Sequence, residues 1–183
     1  MSKRITILGF TGSLRKDSFN RALLKTASEL LPDEARLELF DLTGIPLFNQ
    51  DLEAEMPSIV LDFKSRIKTS DAVLIATPEY NHSIPGVLKN AIDWASRPYG
   101  DNSFEGKPVA VMSASPGMLG GVRAQIHLKQ ILQALDMHIV NKPEVILAFA
   151  SRKIDGEGRL VDEAARKLMG ELLKNLIALA KTL

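Results

Sequence analysis

Ala72-Val73-Leu74-Ile75-Ala76-Thr77-Pro78-Glu79-Tyr80-Asn81-His82-Ser83-Ile84-Pro85-Gly86-Val87-Leu88 decides the fold of this chain. Its first five residues are a short unbroken apolar run, the pattern of a strand buried on both faces. From Ile84 the apolar positions Ile84, Val87, Leu88, Ala91, Ile92 and Ala95 recur at helical spacing. Between the two lies a polar loop, Thr77 to Gly86, whose prolines and glycine stiffen it and leave its backbone groups unpaired. A buried strand running through such a loop into a helix belongs to a parallel sheet. The carboxyl edge of that sheet is where open α/β folds bind flat ligands.

The same unit repeats on either side. Ile5 to Gly9 reads as a first buried strand, followed by a polar loop and a helix from about Phe19. That helix carries Phe19, Ala22, Leu23, Ala27, Leu30 and Leu31 on one face and stops at Pro32-Asp33. Ala35 to Asp41 reads as a second strand, Thr43 to Pro57 as irregular, and a further helix turns Ile59, Val60, Phe63 and Ile67 inward. Val109 to Ser113 is the fourth strand. After it comes a helix with Leu128, Ile131, Leu132 and Leu135 buried. Val145 to Phe149 is read as a fifth strand. The last helix, Asp162 to Lys181, carries a core stripe of Ala165, Leu168, Met169, Leu172, Leu173, Leu176 and Ala180. Five strands alternating with helices predict one α/β domain over residues 1–183, a parallel sheet in the order 2-1-3-4-5 with helices on both faces.

Composition narrows the function. The chain has 183 residues, 45% hydrophobic and 25% charged, as soluble globular domains do. Its 23 basic and 22 acidic residues leave a net charge of +1, so it lacks the basic excess of a nucleic-acid binder. There is no cysteine, which excludes disulfides, thiol catalysis and cysteine-ligated metal. Any redox chemistry therefore belongs to a bound cofactor. Lys3 and Arg4 precede the apolar run Ile5 to Phe10, too short for a leader core or a membrane span, and the expectation is a cytoplasmic protein without membrane partners. His127 and His138 form no ligand-spaced set, so no metal is expected.

In the predicted order the loops after strands 1, 3 and 4 converge on one edge. The first offers Ser13, Arg15, Ser18 and Asn20 at a helix start. Hydroxyls, a guanidinium and free N–H groups together favour a phosphate. The plainer reading is a helix capped by Ser18 with Arg15 in solvent. It has neither a nucleoside-triphosphate loop nor a G-x-G-x-x-G fingerprint. The second offers Pro78, Glu79, Tyr80 and Asn81, an aromatic face beside amide donors and acceptors, as a flavin ring with its dione edge requires. A proline-stiffened surface turn is its plainer reading. The third, Ser113 to Gly121, holds small residues, Ser113, Ser115 and Gly117 among them, that let backbone approach a ring.

Gly12-Ser13-Leu14-Arg15-x-x-Ser18-x-Asn20, followed by Pro78-Glu79-Tyr80-Asn81-x-Ser83-x-Pro85-Gly86-x-Leu88-Lys89-Asn90-Ala91-Ile92-Asp93-Trp94, resembles the NAD(P)H-dependent FMN reductase family. Within it the chain is most similar to the bacterial chromate and quinone reductase group. Gly120-Gly121-x-Arg123-x-Gln125 and Asn141-Lys142-Pro143-Glu144 fit that group too. The similarity covers nearly the whole chain and implies a flavodoxin-like fold. Carried over by position, Ser13, Arg15, Ser18 and Asn20 would hold the FMN phosphate. Pro78, Glu79, Tyr80 and Asn81 would line the isoalloxazine, and Ser113, Ser115 and Gly117 would close its other side. His82 stands where relatives often have an aromatic residue, Ile126 where some have tyrosine, and Pro116 removes a backbone donor from the third loop.

What the resemblance implies is an FMN enzyme taking hydride from NAD(P)H at flavin N5. It would pass the electrons, in ping-pong order, to a small-molecule acceptor: a quinone, an azo compound, free flavin or a metal oxyanion such as chromate. No side chain is then assigned as catalytic. A homodimer or homotetramer is expected, with Trp94, Pro98 and Tyr99 supplying apolar area and Arg123 and Glu144 paired between subunits. The rival readings are a flavodoxin-like electron carrier and a flavin-free binding domain of the same fold. His82 is expected in solvent.

Overall fold

A computed structural model describes residues 4–183; Lys3, of the basic pair ahead of the first strand, lies outside them. The apolar runs form the strands β1 (Ile5–Thr11), β2 (Ala35–Phe40), β3 (Ala72–Thr77) and β4 (Pro108–Ala114). The amphipathic stretches form α1 (Phe19–Leu30), α2 (Ser58–Thr69), α3 (Gly86–Ala95), α4 (Val122–Ala134) and α5 (Glu163–Ala180). The long segment before α2 carries a 3-10 turn, Gln50–Glu55, capped by Asn49.

The sheet is parallel, in the order 2-1-3-4-5, with helices on both faces. Ile7 to Thr11 pair with Ala72 to Ala76, and Val73 to Thr77 pair with Val109 to Ser113. The fifth position corrects the expected single strand. It is filled by two pieces, β5 (His138–Ile139) beside Pro108 and Val109, and β6 (Val145–Leu147) beside Met112 to Ala114. After Val140, whose N–H still bonds the Val109 carbonyl, the stretch Asn141 to Glu144, which contains Pro143, leaves the ladder.

Strand alternation splits the core in two. Leu74 and Ala76 of β3 face α1 and α5 in one cluster, with Leu23, Ala27, Met169 and Leu172. Val73 and Ile75 face α2, α3 and α4 in the other, with Phe63, Leu88 and Leu128. Each such fully buried Leu or Phe contributes roughly 1.5–3 kcal/mol. Leu168 departs from the predicted stripe of α5: it is exposed, while Met169 and Leu172 carry the contact.

Trp94 also departs from expectation. It is fully buried within its own chain, its Nε1 donating to the Pro46 carbonyl at 2.9 Å and its ring meeting Phe48 edge-on at 5.0 Å. It therefore adds nothing to the apolar surface. Tyr99 does stand in solvent, with the Arg97 guanidinium 3.6 Å from the centre of its ring. The Arg97–Asp101 segment is pinned from below by the buried Lys64, whose ammonium donates to the Arg97 and Asp101 carbonyls and lies 3.3 Å from the Asp101 carboxylate. Burial pulls the Lys64 pKa below the ordinary lysine value, although Asp101 opposes the shift.

Candidate functional site

The parallel order brings three strand-to-helix loops to one edge, and specific bonds tie them together. Gly12 N–H donates to the Ala76 carbonyl at 3.1 Å, joining the loop after β1 to the end of β3. The Asn20 carboxamide donates to the Ala114 carbonyl at 3.0 Å and accepts from the Ala114 N–H at 2.9 Å, joining α1 to the end of β4. Two open clefts flank the Tyr80–Ser83 turn. One, about 480 Å³, is lined by Gly12, Leu14, Arg15, Tyr80 and Pro85. The other, about 340 Å³, is lined by Asn81, His82, Ser115, Gly117 and Arg123 among others.

The loop after β1 gathers hydroxyl and N–H groups at the start of α1. Ser18 caps α1, its Oγ accepting from the N–H groups of Asn20 and Arg21 at 3.2 and 3.4 Å. No acidic residue occupies the first turn of α1. Ser13 is buried, its Oγ accepting from Arg15 N–H at 3.4 Å. The N–H groups of Leu14, Lys16 and Asp17 have no backbone acceptor among the described residues. Arg15 is exposed and its guanidinium is without an ion pair among them. Asn20 differs from the other three: it is buried and its carboxamide already bridges to Ala114.

The loop after β3 is a tight turn. Tyr80 and Ser83 exchange N–H···O bonds at 3.0 Å each, with Asn81 (φ 49°) and His82 (φ 67°) left-handed between them. That is the geometry of a two-residue hairpin turn, where asparagine fits first and glycine usually follows. The N–H groups of Glu79, Asn81 and His82 point to no protein acceptor among the described residues. Pro78 is buried and Tyr80 half-exposed at the cleft.

The Glu79 side chain turns away to α4. Its Oε2 accepts from the N–H groups of Arg123 and Ala124 at 3.0 and 3.3 Å, and its Oε1 accepts from Arg123 Nε at 2.6 Å. A carboxylate thus sits on the positive end of α4. Within its own chain Arg123 pairs with Glu79 rather than with Glu144. Glu144 instead meets Lys129 at 3.2 Å and Lys142 at 3.6 Å, and the Lys129 hydrogen bond holds its pKa below the usual carboxylate value.

The third loop approaches closely because it carries two left-handed glycines, Gly120 (φ 59°) and Gly121 (φ 93°). A Cβ on Gly121 would lie 2.8 Å from Ser113 Cβ, and one on Gly120 2.8 Å from Ala148 N. Ser113 is fully buried, its Oγ accepting from Gln125 Nε2 at 2.9 Å. Ser115 Oγ accepts from Gly117 N–H at 3.2 Å, which leaves Ser115 and the exposed Gly117 at the cleft. No group of three or more metal-ligating side chains occurs among the described residues.

Reading the sequence missed three contributors: Arg123 as partner of Glu79, His82 against Arg123 Nη1 at 3.1 Å, and His127, whose Nδ1 lies 2.9 Å from Ser83 Oγ. All three contacts span more than 40 residues, so no local motif announced them.

The family model for NADPH-dependent FMN reductase matches residues 5–152. An NAD(P)H-dependent FMN reductase of Pseudomonas aeruginosa is 50% identical over 177 residues, 96% of this chain and 95% of that one. A 2-hydroxy-1,4-benzoquinone reductase of a Burkholderia species is 41% identical over 92% of this chain and 91% of its own. Among solved structures, a flavoenzyme NAD(P)H:(acceptor) oxidoreductase from Paracoccus denitrificans superposes with a TM-score of 0.90 at 39% identity, covering 97% of this chain and 98% of its own.

Proposed function

The chain belongs to the NADPH-dependent FMN reductase family, and from that premise we propose that it is an FMN-dependent NAD(P)H oxidoreductase that reduces quinones. The observation that carries the reading is the contrast between two helix starts at one edge of the sheet. The α1 start has a neutral cap, free N–H groups and Arg15, whereas the α4 start already holds the Glu79 carboxylate. Only the first suits a phosphate, which orients the mononucleotide along the cleft.

The donor set fits FMN. Ser13, Arg15, Ser18 and the Leu14, Lys16 and Asp17 N–H groups would hold the phosphate, with Asn20 fixing the loop they stand on. Pro78, Tyr80, Asn81 and the Glu79 backbone would line the ring, with Ser115 and Gly117 opposite and Ser113 beneath. Bound FMN supplies hydride chemistry that these side chains lack. The protein binds, orients and aims N–H donors at the ring edge, where reduction builds negative charge. Donor and acceptor use one crevice in turn, which gives ping-pong kinetics, so no side chain needs to act as acid or base.

Azo compounds, free flavin and oxyanions such as chromate are the further acceptors of this reading. It places the enzyme in the cytoplasm as a homodimer or homotetramer, with exposed Met118, Leu119 and Phe149 near the cleft as apolar area for a second copy. Purified protein titrated with FMN should quench its fluorescence to saturation, then oxidise NADH or NADPH when a benzoquinone is supplied. An electron carrier would take up FMN without such turnover, and its docking ordinarily rests on strong acidity, unlike this chain's net charge of +1. Protein that never retains FMN would sink the reading. Sedimentation gives the size of the assembly.

A further inference from the structure

We propose that Arg123 and His82 are positioning residues: together they hold the Asn81–His82 turn in the conformation that presents its N–H groups to the flavin ring. The proposal rests on the flavin reading of the crevice and adds a role for α4 within it.

The turn is strained where it is most needed. His82 has a φ of 67°, in a region that non-glycine side chains enter at a cost, and at the position where hairpin turns of this kind favour glycine. Such strain persists when surrounding contacts over-determine it. Those contacts are present. The Arg123 guanidinium bridges Glu79 on one side of the turn, at 2.6 Å from Nε, and His82 Nε2 at the tip, at 3.1 Å from Nη1. Arginine can only donate, so in this contact Nε2 of the His82 ring is the acceptor. His127, one turn along α4 from Arg123, secures Ser83 at the far side through Nδ1 and Oγ, 2.9 Å apart.

Arg123 is itself anchored. Its backbone N–H and that of Ala124 bond the Glu79 carboxylate, so the turn and the start of α4 form one unit. The Gly120–Gly121 pair allows α4 to begin this close to β4. A flat guanidinium with several fixed donors can serve Glu79 and His82 at once. A lysine ammonium cannot match that geometry. Neither residue touches the reacting atoms in this reading; both act through the turn.

The test uses His82→Gly, Arg123→Lys and their double variant. Glycine relieves the backbone strain and removes the imidazole, so the His82→Gly apoprotein should melt at or above the wild-type temperature. Its FMN dissociation constant should nonetheless rise about tenfold, because binding must then order a turn that Arg123 no longer holds. The visible absorption band of the bound flavin should change shape as well. Arg123→Lys should give a similar loss, and the double variant should lose little more than either single, because both changes break one bridge. In the apoprotein, the Tyr80 and Ser83 amides should exchange hydrogen faster in both single variants while amides of β3 do not. Unchanged exchange at Tyr80 and Ser83, or His82→Gly protein that binds FMN with wild-type affinity and spectrum, overturns the proposal. Those outcomes differ from failure of the flavin reading, which would show as wild-type protein that does not bind FMN, with the exchange result still deciding whether Arg123 and His82 hold the turn.

Discussion

Helix α1 starts at the carboxyl edge of the sheet with Ser18 at its cap, no acidic residue in its first turn and exposed Arg15 beside it; α4 starts at the same edge with the Glu79 carboxylate seated on two of its N–H groups. Both helices offer the same partial positive charge. In α1 no acidic side chain meets it, and in α4 it anchors the loop after β3. The difference teaches how one edge of a parallel sheet can be both receptive and rigid. Two changes of charge at the two helix starts should therefore have opposite signatures.

The largest effect is expected from Ser18→Asp. Aspartate caps a helix as well as serine does, so apoprotein stability should stay within about 0.5 kcal/mol of wild type. FMN affinity should fall by about 4 kcal/mol, the repulsion of two charges about 4 Å apart at a partly shielded surface. Urea unfolding and fluorescence titration on the same sample separate the two. Retained affinity would mean the phosphate lies away from α1.

Asn20→Ala should do the reverse. Its carboxamide serves both polar groups of Ala114, and losing it strands a buried N–H and a buried carbonyl. A stability loss of about 3 kcal/mol is expected from two such groups. Apoprotein unfolding by urea measures it without flavin present. Arg15→Ala comes next, with about 2 kcal/mol lost from FMN binding and no change in apoprotein stability, because Arg15 is exposed and has no ion pair among the described residues.

These contrasts also show what the chain's sequence made readable. The sheet order followed from unbroken runs such as Val73 to Ala76 and Val109 to Met112, whose neighbours in sequence carry the whole signal. The loop after β1 could be singled out as a candidate anion site because Ser13, Arg15 and Ser18 lie within one short segment. The burial of Trp94 was not, since Pro46 and Phe48 cover it from more than 40 residues away. Glu79 and Arg123 are 44 residues apart, and either alone looks like an ordinary exposed ion. The divided fifth strand was missed because His138-Ile139 is too short to show any period. Leu168 shows the converse error: helical spacing placed it in the stripe, but the contact face of α5 stops at its neighbour Met169.

Glu79→Gln probes the α4 side of the comparison. A carboxamide still accepts a hydrogen bond but loses the charge that meets Arg123 and the helix end. The apoprotein should lose about 1.5 kcal/mol in urea unfolding, a hydrogen bond to a charged group made neutral. If the FMN phosphate bound at α4 instead of α1, the same change would free that helix start and tighten FMN. The proposed orientation requires FMN to bind no more tightly than in wild type.

The smallest effect is expected at a helix start remote in function, α5, which fixes what an internal carboxylate contributes by itself. Asp162 caps α5, accepting from Ala165 N–H at 2.8 Å, and lies 3.4 Å from Lys153. The Ala165 hydrogen bond, with help from Lys153 and against some desolvation, lowers the Asp162 pKa below 3.8. A carboxyl whose folded pKa is depressed stabilises the fold above its unfolded value, and that contribution is lost as pH falls through the folded value. Asp162→Asn should therefore flatten the acid side of the stability curve only below about pH 4, where the carboxyl titrates. At neutral pH the change should cost less than about 1 kcal/mol, because asparagine still caps. The α1 cap, a serine, contributes no such acid-dependent component; an FMN-dependent gain in stability should appear at α1 in its place, present in wild type and reduced in Ser18→Asp. Unfolding by urea from pH 7 to pH 3, with and without FMN, would set the two helix starts side by side.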